Sequence, residues 1–320
     1  MFLLSKLSAA GIVAIGFGHY FNQLFPAVTP MTYSVGAIVL LTIANLLGVQ
    51  KAGRVNFIIV LVTLLSLLYF VFGGMGSVDM DNFIPFAPRG LFGIAESSAI
   101  LFFAFTGYAR IATLAEEVVE PEKTIPRAVI ITILTAIVLY AAVSFVAVGL
   151  IGAESMAESR SPLQMASGAM SAPGMDLIIT LGASTAMLGV LLSQILGISR
   201  MMLAMGRRND LPGFFERIHS KTGVPHIGVI FTSAIILAVT IFGSFEFVVR
   251  AATFTILLYY SITNLAAIRQ PGPEQLYSKV IPWMGLAGCM AMSVSLPLNV
   301  ILSGVILLAA GFGIRFLVNQ

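Results

Sequence analysis

Ten apolar runs dominate this chain, at about 3–25, 31–48, 55–73, 92–118, 126–151, 174–205, 225–243, 246–268, 280–296 and 298–317. A helix needs roughly 20 apolar residues to cross a bilayer, so 320 residues hold many crossings and almost no extramembrane domain. Charged residues make up only 10% of the chain, and the mean hydropathy is +1.00. An ordinary soluble domain carries about 25% charged residues. These values exclude such a domain, a disordered chain, a coiled coil and a nucleic-acid binder. A single cysteine, Cys289, excludes a disulfide framework and a cysteine metal cluster. The reading is an all-α polytopic membrane protein, one transmembrane domain over 1–320 with about ten helices. The longest intervening stretches, Glu154 to Pro173 and Arg207 to Pro225, have room for a small surface helix.

Orientation follows from the basic residues of alternate loops. One side carries Lys51, Arg54, Lys123, Arg127, Arg200, Arg207, Arg208, Arg217, Lys221, Arg269, Lys279 and Arg315; the other carries Arg89 and Arg160. Both termini are therefore expected in the cytoplasm, and the net charge of +3 reflects topology rather than an acidic partner. Lys6 followed by Leu7 to Gly18 imitates a signal peptide, but no small-residue cleavage site follows and nine more runs do. The chain opens on Met1-Phe2-Leu3-Leu4, already inside an apolar run.

The fourth run is the informative one. Near its midpoint stand Phe102-Phe103-Ala104-Phe105-Thr106-Gly107-Tyr108. Glycine weakens a helix by about 1 kcal/mol relative to alanine, and a hydroxyl and aromatics lie beside Gly107. Taken alone, the spot fits two readings. A discontinuous helix would free backbone groups to hold a polar ligand at mid-bilayer, or Gly107 would mark a close helix crossing.

The run then passes into Glu116-Glu117-Val118, Pro121-Glu122 and Ile125-Pro126-Arg127. With the aromatic stretch, this resembles the sixth helix and following loop of the amino acid–polyamine–organocation transporters. Gly197 to Pro212 resembles that family's eighth helix and its cytoplasmic loop, and Asn45 to Arg54 the turn between its fourth and fifth helices. The resemblance covers the chain in order and matches family helices three to twelve. It implies an incomplete inverted-repeat fold of five plus five helices. The first repeat would be 1–73 only, the second about 92–268, with two additional C-terminal helices at about 280–317. It also implies a substrate site at Phe102, Phe103, Ala104, Phe105, Thr106, Gly107 and Tyr108, with Gln194 either facing it or making a hydrogen bond between helices. The family's broken first helix, which receives the substrate carboxylate, has no counterpart here. The chain is thus expected to be N-terminally truncated and to need roughly 80–100 further residues to transport.

Ionisable groups in apolar helices are costly and often functional. Lys6 would face the site if a longer helix precedes it, or snorkel to the cytoplasmic face if Met1 is the start. Arg110 lies one turn beyond the break, as a coupling group or as a partner for a helix end. Glu96 and Arg250 fall in the outer halves of their helices and either pair as an outer gate or snorkel separately. Relatives often carry a proton-coupling lysine where this chain has Thr63, which leaves the coupling ion, proton or sodium, open.

Enzyme signatures are missing: there is no His-Glu-x-x-His and no Gly-x-Ser-x-Gly. His19, His219 and His226 are too far apart in topology to share a metal, so no catalytic residue, metal or cofactor is expected. What the resemblance implies is secondary active transport of amino acids or related organic amines across the cell membrane by alternating access. Partners would be the small-molecule substrate, a coupling proton or sodium ion, and the lipid bilayer, with no nucleic acid. The alternatives are a non-transporting truncated remnant or accessory chain and, less favoured, a membrane-embedded enzyme.

Overall fold

A computed structural model of the protein describes residues 2–48, 52–107, 118–170, 174–271, 275 and 277–318. Among the described residues the chain is all helix and turn, without a strand. The α-helices are α1 (Phe2–Leu24), α2 (Pro30–Leu46), α3 (Ala52–Gly74), α4 (Gly90–Phe102), α5 (Pro121–Glu158) and α6 (Pro162–Gly168). They continue with α7 (Met175–Arg207), α8 (His226–Phe242), α9 (Phe245–Arg269), α10 (Val280–Val294) and α11 (Leu298–Val318). Within the described residues nine of the ten apolar runs each lie along one helix, and the fourth lies on α4 and the turn after it as far as residue 107. The short α6 and a 3-10 turn at Gly213–Glu216 occupy the two longer stretches.

Crossing length is more restrictive than helix number. Among the described residues six helices are long and apolar enough to span: α1, α3, α4 extended to Gly107, α5, α7 and α9. The α2 and α8 helices have 17 residues each, about 26 Å at 1.5 Å per residue, a little short of the roughly 30 Å hydrocarbon core. A bend of 112° separates α10 from α11, and the pair makes a seventh span if counted as one. Pro297 sits in this bend; it lacks the N–H that would continue the ladder, and it pushes the preceding residue out of helical geometry.

The best-buried helix is α1. It packs against α7, α9, α2 and α8, and buries Leu7, Ala10, Ala14 and Phe17 in a cluster with Ile38, Leu191, Ile195 and Ile236. Small residues permit this approach. At Gly18 a Cβ would fall on the Pro30 carbonyl oxygen and Ser34 Oγ of α2. A second cluster joins α3, α5, α6 and α7 through Phe70, Val146, Ala166, Met175 and Ile179. The apolar run ending at 151 stops where the backbone does: Gly152 has φ 76° inside α5, a conformation that suits glycine. Just before it, the Gly149 carbonyl accepts from the Asp79 N–H at 2.9 Å and from Asn82 Nδ2 at 2.8 Å, which satisfies an acceptor at the helix end.

Candidate functional site

The α-helical part of α4 stops at Phe102, and residues 103–107 wind as a 3-10 turn. The change begins at Phe103, whose N–H reaches the Ile100 carbonyl, three residues back. Thr106 is buried and donates its hydroxyl to the Phe103 carbonyl at 2.8 Å. A Cβ on Gly107 would meet nothing within 4 Å, so among the described residues no neighbour presses on this glycine as a helix crossing would.

Aromatic side chains tie the turn to three helices. Phe102 meets Tyr260 of α9 edge-on at 5.5 Å, and Tyr260 stacks on Tyr259 at 4.3 Å. Phe103 packs on Ile12 of α1 and on Val248 and Ala252 of α9. Phe105 faces the other way and meets Tyr140 of α5 at 5.3 Å. Edge-on and tilted pairs of this kind each contribute roughly 0.5–1.5 kcal/mol beyond their buried area. Several polar side chains of α9 bond within their own helix. Thr253, Thr255, Ser261 and Thr263 donate to the carbonyls of Val249, Ala252, Leu257 and Tyr259, and Asn264 Nδ2 donates to that of Tyr260.

Glu96 and Arg250 meet. Arg250 Nη1 lies 3.3 Å from Glu96 Oε1, and its Nη2 lies 2.8 Å from Glu246 Oε1. Glu96 Oε2 in turn lies 3.6 Å from Arg89 Nη1. The inner pair is mostly buried, with side-chain exposures of 13% for Glu96 and 23% for Arg250. The outer members are at the surface, Arg89 at 77% and Glu246 at 74%. Removing one partner of a buried pair costs about 3–5 kcal/mol, whereas exposed pairs contribute about 0–1 kcal/mol. The chain's order puts the network toward the start of α4, Glu96 being seven residues, or roughly 10 Å, before Phe103.

The remaining sequence candidates are placed less directly. Ala104 is exposed on the outside of the turn. Gln194 is half-buried on α7, a helix that packs chiefly on α1, α3 and α8 rather than on α4. Lys6 is half-buried near the start of α1, between buried Ser5 and Leu7, six residues before Ile12. The Thr63 hydroxyl donates to the Ile59 carbonyl of its own helix at 2.8 Å. Tyr108 and Arg110 lie outside the described residues. Reading the sequence missed Tyr140, Ile12 and the two outer charges as neighbours of the site. Glu246 and Arg250 carried a signal, an i,i+4 opposite-charge spacing; Tyr140 and Ile12 carried none. Among the described residues no three His, Cys, Asp or Glu side chains converge to hold a metal ion.

Comparison with known proteins places this geometry in context. The family model for amino acid permeases matches residues 1–311. An uncharacterized transporter of Mycobacterium tuberculosis is 31% identical over 324 aligned residues, covering 100% of this chain and 73% of that protein. The methylthioribose transporter of Bacillus subtilis is 28% identical, covering 99% of this chain and 74% of its own length. The branched-chain amino acid permease of the same organism is 25% identical with the same coverage, 99% and 74%.

Proposed function

Because the chain belongs to the amino acid permease family, we propose that it carries an amino acid or related organic amine across the cell membrane by secondary active transport. One observation carries this reading: α4 gives up its α-helix at Phe102, and the turn at 103–107 is walled by aromatic rings. Where an α-helix ends, its last carbonyls lack intrahelical donors, and such carbonyls suit a substrate ammonium. Among the described residues nothing crowds Gly107, which leaves room for that group. Phe102, Phe103, Phe105 and Tyr108 form the gate and the surface for the substrate side chain, with Gln194 and Thr106 as polar partners. The rings favour an apolar side chain, and the Bacillus subtilis relative is named for amino acids of that kind.

Transport proceeds by alternating access, with 1–73 and 92–268 as parts of two inverted repeats, α10 and α11 outside them, and both termini cytoplasmic. Lys6 and Arg110 are the candidates for answering a coupling proton or sodium ion from within the helices. The test is uptake into vesicles of a panel of labelled amino acids, using the form with whatever residues its gene encodes before Met1. Saturable uptake above empty vesicles, strongest for apolar side chains, is expected. Uptake at the empty-vesicle level for every substrate would overturn the reading and point to an accessory chain.

A further inference from the structure

We propose that Arg250 is a hand-over latch between α4 and α9, closing the network end of the site while leaving no charge stranded when it opens. The argument rests on which helix owns each charge. Arg89 caps the start of α4 and pairs with Glu96 of the same helix. Glu246 and Arg250 pair one turn apart on α9. Among the described residues one ion pair, Arg250 Nη1 to Glu96 Oε1 at 3.3 Å, joins the charges of the two helices. If α4 moves away from α9, Glu96 leaves with Arg89 and Arg250 stays with Glu246. Separation of a buried ion pair is ordinarily opposed because it leaves an uncompensated charge in a poorly solvated place. Here each charge carries its second partner on its own helix, so separation exchanges one pairing for another.

Two further observations support a helix that leaves. Only 11% of the most apolar stretch of Gly90–Gly107 is buried, and α4 packs chiefly against α9 and α10. Among the described residues Arg250 Nε is buried without a hydrogen-bond partner, so in the closed arrangement they leave one guanidinium donor unsatisfied that opening would hydrate. Directly beneath the latch, on the same helix faces, lie buried Ala99, three residues after Glu96, and buried Phe254, four after Arg250. Opening would therefore uncover Ala99 from the side that holds the charges.

The latch draws its purpose from the transport reading, but its test needs no transport. In a Cys289→Ser background with Ala99→Cys, membrane fragments open on both faces are treated with a water-soluble thiol reagent, and the labelling rate is measured. Glu96→Gln weakens the link between helices and should raise the rate about fivefold or more. Glu246→Gln removes the receiving partner, so Arg250 commits to Glu96 and the rate should fall. Glu246 is an exposed residue, and its substitution leaves the packed interior intact. Opposite signs from two carboxylates on one arginine are the signature. Rates that rise in both variants, or that change in neither, would reduce the network to passive stabilisation and overturn the latch. Absent amino acid uptake with opposite labelling signs would instead count against the transport reading alone.

Discussion

The helices α1 and α4 both touch Phe103, yet they are embedded in the molecule very differently. In α1, 56% of the most apolar stretch is buried, against 11% for Gly90–Gly107. Their mean hydropathies, 1.2 and 1.5, would rank them the other way if hydrophobicity alone drew helices inward. Lipid is as apolar as a leucine side chain, so burial in a membrane follows from small residues and close packing rather than from greasiness. With Ala10, Ala14 and Gly18, α1 can lie among four helices. By contrast α4 presents Leu91, Phe92, Ile94 and Leu101 outward. One helix is held on most of its surface and the other on little of it.

The comparison can be broken by two leucines. Gly18→Leu would drive a branched side chain into the Pro30 carbonyl of α2, and the overpacking should cost about 1–3 kcal/mol or more. Loss of the monodisperse peak in gel filtration is expected, and a well-behaved protein would mean that α1 is not packed as described. Gly107→Leu has open space around it and should leave expression and elution unchanged while abolishing uptake. Normal uptake by that variant would remove Gly107 from the site.

Hydrogen exchange sharpens the contrast without substitution. Amides of Gly90–Phe102 should exchange about a hundredfold faster than those at 7–20, because local opening is cheapest where few side chains are buried. Equal protection would unite the two helices in one rigid body. The smallest effect is at the contact between α4 and α9. A double-mutant cycle of Phe102→Leu with Tyr260→Leu, read by thermal unfolding, should yield a coupling of about 0.5–1.5 kcal/mol. A coupling of zero would leave the ion pairs as the principal α4–α9 tie.

Much of the scaffold could be read from the sequence because apolar runs and their punctuation are local. The kink in α5 was legible as the end of the apolar run at 151, one residue before Gly152 turns the backbone inside the helix. Its start was not: the charged stretch from Pro121 to Arg127 reads as loop, but Pro121 is well placed as the first helical residue and Glu122 suits a helix N-terminus. The bend between α10 and α11 also went unread, since Pro297 separates two runs equally well whether they cross singly or as one bent span. At the site, the aromatic stretch was evident from composition, and Glu96 and Arg250 from their cost inside apolar helices. What the sequence could not supply was partnership across distance, such as Phe105 with Tyr140 or Phe103 with Ile12. Those contacts depend on how whole helices rotate about their axes.

The self-bonded hydroxyls of α9 bear on how the protein is made. With a mean hydropathy of 1.4, α9 would seem a reluctant membrane helix, yet Thr253, Thr255, Ser261 and Thr263 each bring their own acceptor from the turn before. In hydrocarbon an unmet donor costs several kcal/mol, and here those hydroxyls need no neighbour to be satisfied. These four hydroxyls therefore demand no partner while the helix enters lipid, before any other helix arrives to pack on it.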